Sequence, residues 1–191
     1  MASVTIPSED RTLTDPQQIA DFLSQYGIWY RHFEGDVGSL EGATNEEILA
    51  AFDEPIQKLK DEGGYVTADV INITPDMANL EMMLAKFDRE HTHSEDEVRF
   101  IVEGNGLFHV NPGDRGPVFR IEVSEGDMIN VPRNTRHWFH LCSDRRIKAI
   151  RLFQDMSGWT PHYTESGVDT EFAPLCFGPS YIPKGDVDSV I

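Results

Sequence analysis

The chain has 191 residues and a formal net charge of −17, with 39% hydrophobic and 26% charged residues. That is the composition of a soluble globule of one domain, long enough to bury roughly 70% of its unfolded surface. So acidic a balance argues against nucleic acid and anionic membranes as partners, since both are bound chiefly through Lys and Arg.

The first half reads as mostly helical. Asp15-Pro16 is a helix-start signature, followed by Ile19, Phe22, Leu23 and Tyr26 at helical spacing and a stop at Gly27. Ile28 to Phe33 is aromatic and short, as a strand would be. Thr44-Asn45-Glu46-Glu47 is a capping box for a second helix burying Ile48, Leu49, Phe52, Ile56 and Leu59, which Pro55 should kink or divide. Val66 to Thr74 is β-branched and reads as a strand. A third helix is expected from Pro75, with Met77, Leu80, Met83, Leu84 and Phe87 on its core face.

From about residue 95 the texture becomes β. Short segments near 96–103, 106–111, 117–123, 128–131, 137–142 and 146–154 are separated by turn residues, with Gly104-Asn105-Gly106 and Asn111-Pro112-Gly113-Asp114 the strongest turn signals. Strands at this spacing predict an antiparallel sandwich or small barrel. The expected organisation is a single domain, 1–191, with helical elements in about 1–90, a barrel core in about 65–155 and a wrapping tail over 156–191, punctuated by Pro161, Pro174, Pro179 and Pro183. Two cysteines, Cys142 and Cys176, exclude a disulfide framework though not one isolated bridge. No apolar run reaches membrane length and no basic-then-apolar leader opens the chain, so a cytoplasmic protein with reduced thiols is expected. With no exposed apolar repeat or zipper, a monomer is expected too.

Chemistry concentrates in His91-Thr92-His93-Ser94-Glu95-Asp96-Glu97-Val98-Arg99. Two imidazoles two residues apart on extended backbone point the same way, and a strand from Glu97 would aim Glu97 and Arg99 at one face, Val98 and Phe100 at the other. A fourth donor lies in Gly126-x5-Pro132-x-Asn134-x2-His137. Parity makes His137 the better ligand and puts His140 on the opposite face. His91, His93, Glu97 and His137 thus form a candidate set of three nitrogens and one oxygen for a divalent first-row metal, with two octahedral positions left open. Arg99 is placed to hold an anionic oxygen, or else to pair with Glu95 or Glu103. Glu95 is a candidate to orient a ligand histidine or hold a proton, or else a solvated member of an acidic cluster. Phe87, Phe139 and Trp159 are candidate pocket walls, with plain core packing as the alternative. His32, His109 and His162 have no partner pattern.

His91-x-His93-x3-Glu97-x6-Gly104 and Gly126-x5-Pro132-x-Asn134-x2-His137 resemble the two cupin motifs. They depart from them at Ala85, at Pro132-Arg133-Asn134, where Asn replaces a turn glycine, and at Leu141, where an Asn is usual. Glu90-His91-Thr92-His93, Glu95 to Phe100, Val131-Pro132 leading to His137-Trp138-Phe139, Ala149 to Phe153 and Gly158-Trp159 resemble, more narrowly, the acireductone dioxygenase family of methionine salvage. That resemblance implies a cupin barrel, mainly β with flanking helices. It also implies one Fe(II) or Ni(II) per chain, and O2 and an acireductone as substrates. With iron the products would be 2-keto-4-methylthiobutyrate and formate; with nickel, methylthiopropionate, formate and carbon monoxide. The aromatic walls would then hold a methylthioalkyl tail. The alternatives are another four-ligand cupin dioxygenase acting on a different chelating enediol, and a non-catalytic cupin that binds its ligand.

Overall fold

The computed structural model describes residues 1–33, 35, 37, 40, 42–155 and 159–176. The helical first half begins with an element the sequence pattern did not announce. Strand β1 (Ser3–Ile6) pairs antiparallel with β2 (Arg11–Leu13), burying Val4, Ile6 and Leu13. Helix α1 (Pro16–Ser24) starts where Gln18 N donates to the Asp15 carboxylate at 2.9 Å, and buries Ile19 and Leu23. Strand β3 (Tyr30–His32) follows. The Thr44–Glu47 capping box opens α2 (Asn45–Ala51), and α3 (Asp53–Gly63) continues from it. The division falls at Phe52 rather than at Pro55. Pro55 lies in the first turn of α3, where an N–H has no helical acceptor and its absence costs nothing. After β4 (Thr67–Ile73) comes α4, confined to Leu80–Leu84 instead of running from Pro75. Asn79 adopts a left-handed φ of 66°, which delays the helix and leaves Met77 38% exposed.

The β half contains β5 (His91–Thr92), β6 (Glu97–Asn111), β7 (Phe119–Ser124), β8 (Asp127–Val131), β9 (Arg136–Leu141), β10 (Ile147–Phe153) and β11 (His162–Tyr163). Gly104-Asn105-Gly106 is not a turn: it lies inside β6, which passes from one sheet into another. The first part of β6 pairs with β10 and β8, the second with β7 and β9. Gly104, at the crossover, has φ 80°, and a Cβ there would stand 2.2 Å from Arg146 O. Two layers result. One runs β4-β10-β6-β8-β3 and the other β11-β5-β9-β6-β7-β1-β2.

Between the layers lies a core that includes Ile101, Phe108, Val110, Ile121, Ile129 and Phe139. The outer face of the first layer presents Val98, Phe100 and Val102 to Ile48, Phe52, Ile56 and Leu59 of α2 and α3, with the Phe52 and Phe100 rings 4.6 Å apart. The parity predicted for β6 is therefore borne out: Val98 and Phe100 face the helices, and Glu97 and Arg99 face inward.

The expectation of reduced thiols is overturned, since Cys142 and Cys176 are joined in a disulfide across 34 positions of sequence. The chain after β11 returns over the outer face of β9, bringing Phe172 to 6.1 Å from Trp138 and Cys176 against Cys142 and Leu107. Pro179 and Pro183 lie outside the described residues, as does Gly158. Among the described residues no helix is long and apolar enough to cross a membrane.

Candidate metal centre

β5 exists because it is clamped on both sides. His91 sits opposite His137 of β9 and opposite Tyr163 of β11. His93 leaves that short strand with its carbonyl accepting from Asn134 N at 2.9 Å. Asn134 takes φ 63°, the left-handed conformation that the motif's usual glycine would supply. The His91 ring centre is then 4.8 Å from that of His93 and 4.5 Å from that of His137. Glu97 Oε2 lies 3.2 Å from His93 Nε2 and 3.1 Å from His137 Nε2. None of the four residues is more than 2% exposed.

Each Nδ1 faces a backbone carbonyl: Arg89 O at 2.7 Å for His91, Thr160 O at 2.9 Å for His93 and Thr135 O at 2.8 Å for His137. A carbonyl only accepts, so each Nδ1 carries a proton; in the neutral imidazole Nε2 then presents its lone pair inward, the tautomer a metal ligand needs. The Nε2 atoms of His91 and His93 are buried without a hydrogen-bond partner among the described residues. Burial, with His137 beside it, pushes the His91 imidazole down to about 3. Burial acts to raise the Glu97 carboxyl, but the Arg99 guanidinium beside it holds it well below the usual carboxylate range. A His91 imidazole kept neutral, an ionised carboxylate and three Nε2 atoms facing inward fit a divalent cation.

Arg99 pairs not with Glu95 or Glu103 but with Glu97, its Nε–H donating to Oε1 at 2.6 Å. Its guanidinium carbon lies 4.9 Å from the Phe139 ring centre and 5.2 Å from that of Trp159. Arg99, Phe87 and Phe139 line a cavity of about 270 Å³ together with Ile71, Met83 and Arg151. Phe87 also borders the histidines, its ring centre 5.8 Å from that of His91. Trp159 packs behind this cavity, 4.8 Å from Phe153, and its indole N–H donates to Asp96 O. Glu95 accepts from Asp155 N at 3.3 Å, while a hydrogen bond to the Asp155 side-chain carboxyl raises its own carboxyl. Backbone carbonyls hold all three histidines, the task the sequence suggested for Glu95.

Sequence reasoning missed Arg151, Glu90 and Thr160. Arg151 is the cross-strand neighbour of Arg99 and forms a two-point ion pair with Asp69 at 2.8 and 2.6 Å. Strand parity extended to β10 would have found it. Glu90, 2% exposed, accepts from Asn111 Nδ2 at 2.6 Å and from the Thr164 and Ser166 hydroxyls. Thr160 acts through its carbonyl, which no residue type reveals. The remaining histidines stand apart from the centre: His32 bonds Asp127, His109 stacks on Trp138, His140 packs against His109, and His162 lies in β11.

Three inward imidazoles and a carboxylate, held at one end of a two-layer antiparallel fold, define a metal-binding cupin. The ARD/ARD' family matches residues 11–161, and the chain belongs to that family. It is 44% identical to the acireductone dioxygenase of Picosynechococcus sp. over 165 residues, covering 86% of this chain and 93% of that one. It is 38% identical over 180 residues to the acireductone dioxygenase of Methylococcus capsulatus, covering 92% and 96%. The solved structure of acireductone dioxygenase from Bacillus anthracis with a cadmium ion in its active centre is similar at a TM-score of 0.79. The two chains are 35% identical, and the match covers 85% of this chain and 98% of that one.

Proposed function

We propose that this chain is a metal-dependent dioxygenase that cleaves acireductone with O2 in methionine salvage. The carrying observation is the convergence of His91, His93, His137 and Glu97 beside Arg99 and an apolar cavity of about 270 Å³. His91, His93, Glu97 and His137 would hold one Fe(II) or Ni(II) per chain. Bound there, the metal would supply Lewis acidity and a template for a chelating enediolate.

Arg99 spends its Nε–H on Glu97, so its terminal nitrogens are the part that meets the substrate's anionic oxygen. Phe87 and Phe139 wall the cavity for the methylthioalkyl tail and keep water from the reacting end. Trp159 positions Arg99 from behind. The product set follows the metal: 2-keto-4-methylthiobutyrate and formate with iron, methylthiopropionate, formate and carbon monoxide with nickel. The protein acts as a cytoplasmic monomer.

Metal-free protein reconstituted separately with Fe(II) and Ni(II), then given acireductone and O2, should consume substrate faster than the spontaneous reaction. No excess consumption with either metal would overturn the proposal.

A further inference from the structure

Segment 159–176 is part of the metal centre's wall, although most of it lies past the conspicuous motifs. Thr160 O holds His93 Nδ1 at 2.9 Å. Tyr163 pairs with His91 in the two-residue β11–β5 ladder, and Thr164 N donates to Glu90 O at 3.1 Å. The Thr164 and Ser166 hydroxyls close onto the buried Glu90 carboxylate. The near end of this segment is held by non-covalent contacts, which also include Tyr163 Oη donating to Lys86 O at 3.1 Å and Arg89 over the Tyr163 ring. Its far end is covalent: Cys176 is bonded to Cys142, one residue beyond β9, the strand that carries His137 and Phe139. The bridge ties the segment buttressing His91 and His93 to the strand holding His137.

We propose that Cys142–Cys176 is a reversible thiol–disulfide exchange site for a dithiol reductant, and that its oxidised form clasps segment 159–176 over the metal centre. Both cysteines line a cleft of about 440 Å³ between α4, the end of β9 and the returning chain, with His140, Ser143 and Arg145 on the same wall. A reductant thiolate attacks one Sγ, the S–S bond breaks, and the other cysteine leaves as a thiolate. The reductant's second thiolate then attacks its own sulfur in the mixed disulfide, breaking that bond and releasing the first cysteine as a thiolate. The reductant is released as a cyclic disulfide, having passed two electrons and two protons to the protein. Arg145 on the cleft wall is ion-paired with Glu81, so the cleft supplies the thiol's path to the bridge and not a free cation.

The proposal rests on the metal centre but not on the identity of the substrate, so its test needs no turnover. Nickel-loaded protein is compared before and after dithiothreitol treatment and anaerobic desalting, following thiol count, metal loss to EDTA and amide exchange in 159–166. The expected result is no free thiol before treatment and two after it. Metal loss should be severalfold faster and exchange higher in the reduced form, with reoxidation reversing both. The Cys142→Ser/Cys176→Ser variant should match the reduced form and ignore dithiothreitol. Equal metal loss and exchange in both redox states would overturn the proposal. So would two free thiols that persist after mild oxidation.

Discussion

Arg99 joins the two halves of the site, with its Nε–H on Glu97 and its guanidinium against Phe139 and Trp159. A charge-assisted hydrogen bond to substrate contributes about 1.5–3 kcal/mol. Arg99→Ala should therefore retain metal at neutral pH while kcat/KM falls roughly 10- to 100-fold. The same substitution removes the cation that most strongly holds the Glu97 carboxyl down. Glu97 would then take up its proton at a higher pH. As pH falls, metal content in the variant should drop before that of the wild type does, and metal analysis across an acid series checks the sign. His91, His93, Glu97 and His137 were legible because ligand spacing and strand parity are local properties. Arg99's partner was not, since Glu95, Glu97 and Glu103 all lay within its reach along the chain.

β6 shows why elements are harder to read than residues. Glycine reports that the backbone can bend at Gly104, but partners decide whether it reverses, and β10 and β7 carry it onward. Gly104→Ala forces a side chain into φ 80° and against Arg146 O. Gly64→Ala meets the same kind of φ, 69°, in open space. The first should cost about 1–3 kcal/mol and the second less. Equal losses in urea unfolding would refute this account of the crossover.

β6 and β9 also share a buried pair on their outer face, His109 stacked on Trp138 with 5° between the rings. Burial, with His140 and Arg120 nearby, pushes His109 down to about 2. The folded state then refuses a proton that the unfolded chain accepts below about 6.5. Stability is full above that pH and falls by about 1.4 kcal/mol for each further unit of acidity, down to the folded value. His109→Phe should flatten this dependence between pH 7.5 and 5.5, as chemical denaturation would show.

For the molecule as a whole, ligation of a folded-state site adds stability by mass action. Metal at 100 times its Kd should add about 2.7 kcal/mol, or roughly 5–10 °C in Tm at this size. His137→Ala should lose that shift. His140→Ala should keep it, because His140 lies with His109 on the far face of β9; the reverse pattern would reassign the fourth ligand. By itself the sequence determined the three-histidine cluster, the inward face of β6, the capped helices and the mainly β class, all of which follow from short-range spacing, alternation and capping chemistry. Tertiary structure alone decided that β1 and β2 extend one layer, that β6 is shared by two sheets, that carbonyls of Arg89, Thr135 and Thr160 orient the histidines, and that Cys142 meets Cys176. Those outcomes depend on backbone atoms common to every residue, or on chain returns spanning tens of residues. Neither leaves a mark in local composition.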